Sequence, residues 1–155
     1  MTQEPVSTEH TRPGRVVHLA LTAAIFVYAL IVELCESQLA PFDGFVPGMD
    51  FLSALREILA LVALVDLGVA FLFLWRPYLV RTVGAAFMLA YASLEALAIY
   101  GLVLFLLGGH RPDFYLFAAP ALVGLLLLWA QAGRWDALIE LEQHDLETTG
   151  GENDD

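Results

Sequence analysis

One apolar stretch decides the fold: Tyr91-Ala-Ser-Leu-Glu-Ala-Leu-Ala-Ile-Tyr-Gly-Leu-Val-Leu-Phe-Leu-Leu107. It has the length and composition of a membrane-crossing helix, yet it carries one carboxylate, Glu95, near its middle. A spanning helix needs about 20 predominantly apolar residues, and an ionisable group at that depth costs roughly 2.5–3.5 kcal/mol. Intramembrane acids are therefore rare and are functional candidates by default, which makes Glu95 the first candidate site residue.

Three further apolar runs accompany this stretch, in a chain of 155 residues that is 59% hydrophobic. The four predicted spans cover residues 16–34, 58–75, 82–107 and 114–132. The sequence therefore predicts an all-α protein, a four-helix transmembrane bundle. The predicted domains are a disordered cytoplasmic leader at 1–14, a four-span membrane domain at 15–134 and an acidic cytoplasmic tail at 135–155 with a short helix.

The arginines predict the orientation in the membrane, because the chain has no lysine. One side of the predicted bundle holds five of them, namely Arg12, Arg15, Arg76, Arg81 and Arg134, and the other side holds Arg56 and Arg111. The positive-inside rule then places both termini in the cytoplasm.

The first span has the basic flank of a signal peptide, but its full length and the lack of an A-x-A site favour an uncleaved anchor. The predicted location is the inner (cytoplasmic) membrane, with multiple passes.

Two carboxylates form the main candidate site. Asp66 and Glu95 are at the centres of the second and third spans, which are consecutive and antiparallel. If they face each other, two like charges in a low-dielectric site cannot both ionise cheaply, and the pair would share a proton. Tyr91, one turn from Glu95, and Tyr100 are the candidate hydrogen-bond partners, and Tyr28 is a third hydroxyl of this kind. In the alternative interpretation each acid is protonated and only fixes helix packing, by about 0.6 kcal/mol per hydrogen bond.

Two weaker features complete the candidates. Glu33 and Glu36 stand one turn apart at the outer end of the first span, where they form either an external cation site or a solvated helix end. The third span is rich in small residues, which permit close helix packing and offer a face to a protein partner or a second copy. These residues are Gly84, Ala85, Ala86, Ala90, Ala92, Ser93, Ala96, Ala98 and Gly101.

Several function classes find no support in the sequence. The four histidines show no metal-ligand spacing, and of these only His18 is placed to face other helices. No G-x-S-x-G, Walker or dinucleotide-binding pattern occurs, so the expectation is a protein that is not an enzyme and has no cofactor and no metal. Nucleic acid is excluded as a partner because there is no clustered basic face. The lipid bilayer is the partner that the composition requires.

A weak internal repeat links the two halves of the chain. Ile25-Phe-Val-Tyr-Ala-Leu-Ile-Val32 aligns without gaps on Leu97-Ala-Ile-Tyr-Gly-Leu-Val-Leu104, and Phe71-Leu-Phe-Leu-Trp75 is similar to Leu125-Leu-Leu-Leu-Trp129. Two repeated helical hairpins in parallel orientation would explain both matches.

A local resemblance also bears on Glu95. The run Leu94-Glu-Ala-Leu-Ala-Ile-Tyr-Gly-Leu-Val-Leu104 resembles the carboxylate-bearing helix of the ring-forming proteolipid of rotary ATP synthases. In that family the glutamate before an Ile-Tyr-Gly-Leu-Val run binds the translocated proton or sodium ion, so the resemblance implies this role for Glu95. It covers eleven residues. Elsewhere the chain looks like a small four-span bacterial membrane protein.

Two functional hypotheses follow. In the first, a small membrane protein handles protons or cations through Glu95 and Asp66, with Tyr91 or Tyr100 as hydrogen-bond partners. In the second, the protein is a non-catalytic membrane subunit or assembly partner of a larger complex. Its contacts would then be the loop at residues 42–45 and the tail at residues 135–147.

Overall fold

The computed structural model contains four long helices and, in the residues it describes, no strand. The described residues are 13–46, 51–79, 82–135 and 137–138. The helices are α1 (Pro13–Gln38), α2 (Phe51–Trp75), α3 (Val83–Gly108) and α4 (Arg111–Ala130), and a short 3-10 turn at Pro77–Leu79 follows α2. All four are long and apolar enough to cross a membrane. The predicted all-α, four-helix transmembrane bundle is confirmed.

The helix ends follow from residues with defined capping roles. α1 begins at Pro13, inside the predicted leader, because proline lacks the amide hydrogen that a first turn leaves unpaired. The Thr82 side chain accepts a hydrogen bond from the Ala85 amide at the start of α3. Gly109, with φ of 70°, ends that helix in the left-handed conformation that glycine adopts without strain. The rest of the predicted leader, and most of the tail, lie outside the described residues.

α3 is the central helix, since it packs against each of the other three. No Cα atom of α1 lies within 8 Å of one in α2 among the described residues, whereas α3 and α4 pack along their length. α1 and α2 therefore occupy different sides of α3. The equivalent hairpins that the repeat predicted are not formed, because only the second pair of helices packs as a hairpin.

Small residues let α3 approach α4 closely. A side chain at Gly101 would place its Cβ 2.8 Å from the Phe114 carbonyl oxygen, and one at Gly124 would overlap the Leu94 side chain. Helices can approach this closely only where a residue without a Cβ faces the neighbouring helix. Gly101, one of the two glycines in the small-residue face predicted for the third span, thus packs against α4 inside the chain.

The described part of the connection between α1 and α2, residues 39–46, crosses the C-terminal end of α3. The Phe45 amide donates to the Leu106 carbonyl over 2.8 Å, and the Val46 amide donates to the Leu107 carbonyl over 3.1 Å. These bonds use carbonyl groups that the last turn of a helix cannot pair internally. These two bonds attach the end of the described loop segment to the last turn of α3.

Candidate functional site

Asp66 on α2 is held by a tyrosine of the central helix. The Tyr100 hydroxyl donates a hydrogen bond of 2.8 Å to Asp66 Oδ2, and both residues are half-buried. The distance is the usual one for a hydroxyl donor and a carboxyl acceptor. Tyr100 was a predicted hydrogen-bond partner, and the structure assigns it to Asp66.

Glu95 on α3 is held by a tyrosine of α1. The Tyr28 hydroxyl donates to Glu95 Oε1 over 3.4 Å, a long bond near the limit of useful geometry. The sequence gives Tyr28 only as a third candidate hydroxyl. The internal repeat nevertheless aligns Tyr28 with Tyr100, and this alignment indicates a similar role for the two tyrosines. The two carboxyl groups thus make equivalent bonds to the two repeat-related tyrosines.

The two acids do not form the predicted shared-proton pair. Glu95 and Tyr100 are five residues apart on α3, which turns them by about 140° around the helix axis. Glu95 therefore faces α1, while Tyr100 faces α2 and bonds Asp66 there. Antiparallel neighbours match in depth, but the rotation of α3 separates the two groups.

Between these two bonds, α3 leaves one side open. Its exposed residues are Ala85, Met88, Leu89, Ala92, Ile99 and Val103. They recur at helical spacing, and their mean direction lies between those of Glu95 and Tyr100. We call this surface, with α1 and α2 as its walls, the α1–α2 groove. One carboxylate–tyrosine pair stands at each of its margins.

Tyr91 is paired with His18 and not, as predicted, with Glu95. The Tyr91 hydroxyl lies 3.0 Å from His18 Nδ1, and the other ring nitrogen of His18 is 3.4 Å from the Thr22 hydroxyl. Aromatic side chains on a helix lean toward its N-terminus, so Tyr91 extends away from Glu95, which follows it in sequence. His18 is buried and lies against the Trp129 ring, with centroids 4.7 Å apart, which confirms that it faces other helices.

Glu33 is engaged by two side chains of α4. The Arg111 guanidinium and the Tyr115 hydroxyl each donate to Glu33 Oε1 over 2.6 Å. Glu33, for which the sequence left open an external cation site or a solvated helix end, thus connects α1 and α4. Both charged side chains are exposed, so solvent screens the pair and it contributes little to stability.

A second ion pair at this end was not predicted. Arg56 Nη2 lies 2.6 Å from Asp113 Oδ2, and Asp113 is only 9% exposed. The pair lines a cavity of about 220 Å³ between α2, α3 and α4, together with Ser53 and His110. Asp113 precedes the predicted fourth span at 114–132, whereas in the structure it lies in the first turn of α4, where a carboxylate is favoured by the helix dipole.

The donor sets around the midplane acids suit a proton better than a metal ion. Among the described residues each carboxyl group has a single hydroxyl as its hydrogen-bond partner, while Ca²⁺ requires six or more oxygens and Mg²⁺ about six. Within the described part of the chain no three His, Cys, Asp or Glu side chains come together in a metal-binding group. A proton needs only the acid and one neighbour.

Comparisons with known proteins do not assign a function to this chain. No protein-family model matches the chain. No curated protein matches it significantly, and neither does any solved structure. Function is therefore inferred from the chain's own side chains and their arrangement in the bundle.

Proposed function

We propose that this small polytopic membrane protein is a non-enzymatic handler of protons, with Glu95 as the principal group and Asp66 as the second. The observation that carries the proposal is that each of two intramembrane carboxyl groups has one tyrosine hydroxyl as its hydrogen-bond partner. A cation as the handled species is less well supported, because one carboxyl and one hydroxyl are too few ligands.

The electrostatics of the spans support this role. An ionised group inside a bilayer is expensive unless it is paired, and such groups mark ion and proton pathways. The chain has no lysine, and none of its arginines lies within residues 57–75 or 82–110. The arginine of α2, Arg56, lies ten residues before Asp66 and is paired with Asp113, and α3 contains no basic residue.

Glu95 is preferred over Asp66 for two reasons. Its bond to Tyr28 is longer than the bond of Asp66 to Tyr100, so its carboxyl group is less firmly held. The resemblance of residues 94–104 to the proteolipid helix also points to Glu95. In this proposal Tyr28 takes the place that the sequence gave to Tyr91, and Tyr100 serves Asp66.

The proposed orientation has both termini in the cytoplasm of a cell with an inner membrane. It rests on the five arginines of the N-terminus, the α2–α3 connection and the C-terminus against the two on the other side. His18 then lies toward the cytoplasmic end of the bundle, and the Arg56–Asp113 pair lies at the outer end.

Proton flux in proteoliposomes tests the proposal. A pH gradient should drive flux through the wild-type protein, and Glu95→Gln should abolish it because the amide cannot ionise. Glu57→Gln is the matched control, since Glu57 is an exposed acid near the start of α2. A wild-type protein without flux, or a Glu95→Gln variant with undiminished flux, rules the proposal out.

A second candidate function is that of a non-catalytic membrane subunit, and the α1–α2 groove favours it. The surfaces first expected to serve as contacts are partly used inside the chain. Phe42 packs against Phe105, with ring centroids 5.2 Å apart, and Trp135 is 2% exposed with its ring 5.6 Å from Phe87. The groove, by contrast, exposes the central helix. Association with a second membrane helix, measured as described below, tests this function.

A further inference from the structure

We propose that the α1–α2 groove binds a transmembrane helix of a partner protein that carries a lysine or arginine near the membrane midplane. Glu95 and Asp66 are the counter-charges for this residue. The inference rests on the second candidate function, membrane assembly, and names the chemistry of the partner. It does not depend on proton flux.

The shape of the groove fits one helix. Its walls, α1 and α2, have no Cα atoms within 8 Å of each other among the described residues, and both pack on α3. On its floor, Met88 is 54% exposed and Ile99 is 40% exposed, and the alanines at 85 and 92 are exposed between them. Packed helices lie about 8–10 Å apart, and small residues at the contact allow the closest approach.

The charges at the margins specify the partner. Glu95 and Asp66 are half-exposed, and they lie on the two sides of the groove. Because the Tyr100 side chain leans toward the N-terminus of α3, its bond to Asp66 forms close to the level of Glu95. In the proposal, the basic side chain of a helix in the groove lies between the two carboxyl groups.

Within the described residues, the chain does not place a cation beside these two acids. It has no lysine, and the arginines nearest to the outer end, Arg56 and Arg111, are paired with Asp113 and Glu33. A second copy of this chain has the same four spans, so its own intramembrane acids would lie near Glu95 and Asp66 and would not neutralise them. Lipid chains can fill the groove but cannot neutralise the carboxylates. A different protein with a basic intramembrane residue satisfies both requirements.

Energy transfer in liposomes of neutral lipid tests the inference. The full-length protein carries a donor fluorophore. The probe is a synthetic Leu/Ala transmembrane peptide that has one central lysine and carries an acceptor fluorophore. The comparison peptide has leucine at the central position. We expect the lysine peptide to bind about tenfold more tightly than the leucine peptide, a difference equivalent to about 1.4 kcal/mol.

Three variants connect binding to the groove. The double variant Glu95→Gln, Asp66→Asn should reduce binding of the lysine peptide to the level of the leucine peptide. Ala92→Phe should weaken both peptides, because it fills the floor. Glu57→Gln should change neither, and circular dichroism checks that each variant retains its helices.

Specific outcomes contradict the inference. Equal binding of the two peptides, or full binding to the double variant, shows that the carboxylates do not select the partner. A further control labels two populations of the protein with donor and acceptor dyes and adds the lysine peptide. If energy transfer between the copies persists in the presence of the peptide, a second copy fills the groove. Flux through the wild-type protein without peptide is measured separately, so the proton proposal and the partner proposal fail independently.

Discussion

The Tyr100 hydroxyl donates a 2.8 Å hydrogen bond to Asp66, and this bond joins the central helix to α2 within the apolar part of the bundle. The longer bond from Tyr28 joins Glu95 to α1 in the same manner. Interhelical hydrogen bonds in membranes contribute about 0.6 kcal/mol on average, while placing an acid at this depth costs roughly 2.5–3.5 kcal/mol. The bonds alone do not offset the cost of the acids, so helix packing alone does not account for the presence of these acids.

Removal of the two hydroxyls should have unequal effects on stability. We expect Tyr100→Phe to lower the free energy of unfolding by about 1 kcal/mol, because it leaves Asp66 without its donor. Tyr28→Phe should have a smaller effect, since its bond is longer. Unfolding in mixed micelles by titration with a denaturing detergent measures both. An equal or larger loss for Tyr28→Phe would show that the bond lengths do not rank the two interactions.

The glycines of α3 provide a matched pair for testing its contact with α4. Gly101→Ala should destabilise the bundle by about 1–3 kcal/mol, because its Cβ would lie 2.8 Å from the backbone oxygen of Phe114. Gly84→Ala should be neutral or slightly stabilising, since no neighbouring atom lies within 4 Å of its Cβ and alanine is the better helix former. The same detergent titration compares them. A Gly101→Ala variant as stable as Gly84→Ala would contradict the close α3–α4 packing.

The sequence predicts the helices well and their rotation poorly. Four apolar runs were enough to place the spans, because a bilayer requires long apolar helices. In a membrane, however, apolar residues cover both the packed and the lipid-facing sides, so the pattern around Glu95 does not tell which neighbour it faces. For this reason the sequence predicted Tyr91 as the partner of Glu95, whereas the structure shows Tyr28 in that role. The separation of α1 from α2 also escaped prediction, because adjacency in sequence normally indicates packing.

The two ion pairs at the end of the bundle where α4 begins should differ in strength. Asp113→Asn should lower the free energy of unfolding by about 1–3 kcal/mol, because Asp113 is nearly buried and its charge-assisted bond to Arg56 is short. Glu33→Gln should produce no measurable change, since the pair with Arg111 is exposed and screened. Added salt should leave the ranking unchanged. The expectation fails if the two variants prove equally stable.

Flux through two tyrosine variants distinguishes a functional hydroxyl from a structural one. Tyr91 is bonded to buried His18, so Tyr91→Phe should lower stability by about 1 kcal/mol and leave proton flux unchanged. Tyr28 is bonded to Glu95, so Tyr28→Phe should alter the rate of flux with little effect on stability. Both substitutions remove one hydroxyl from one ring, and this makes each the control for the other. If Tyr91→Phe alters flux and Tyr28→Phe does not, the proton path runs through His18, and Glu95 loses its assigned role.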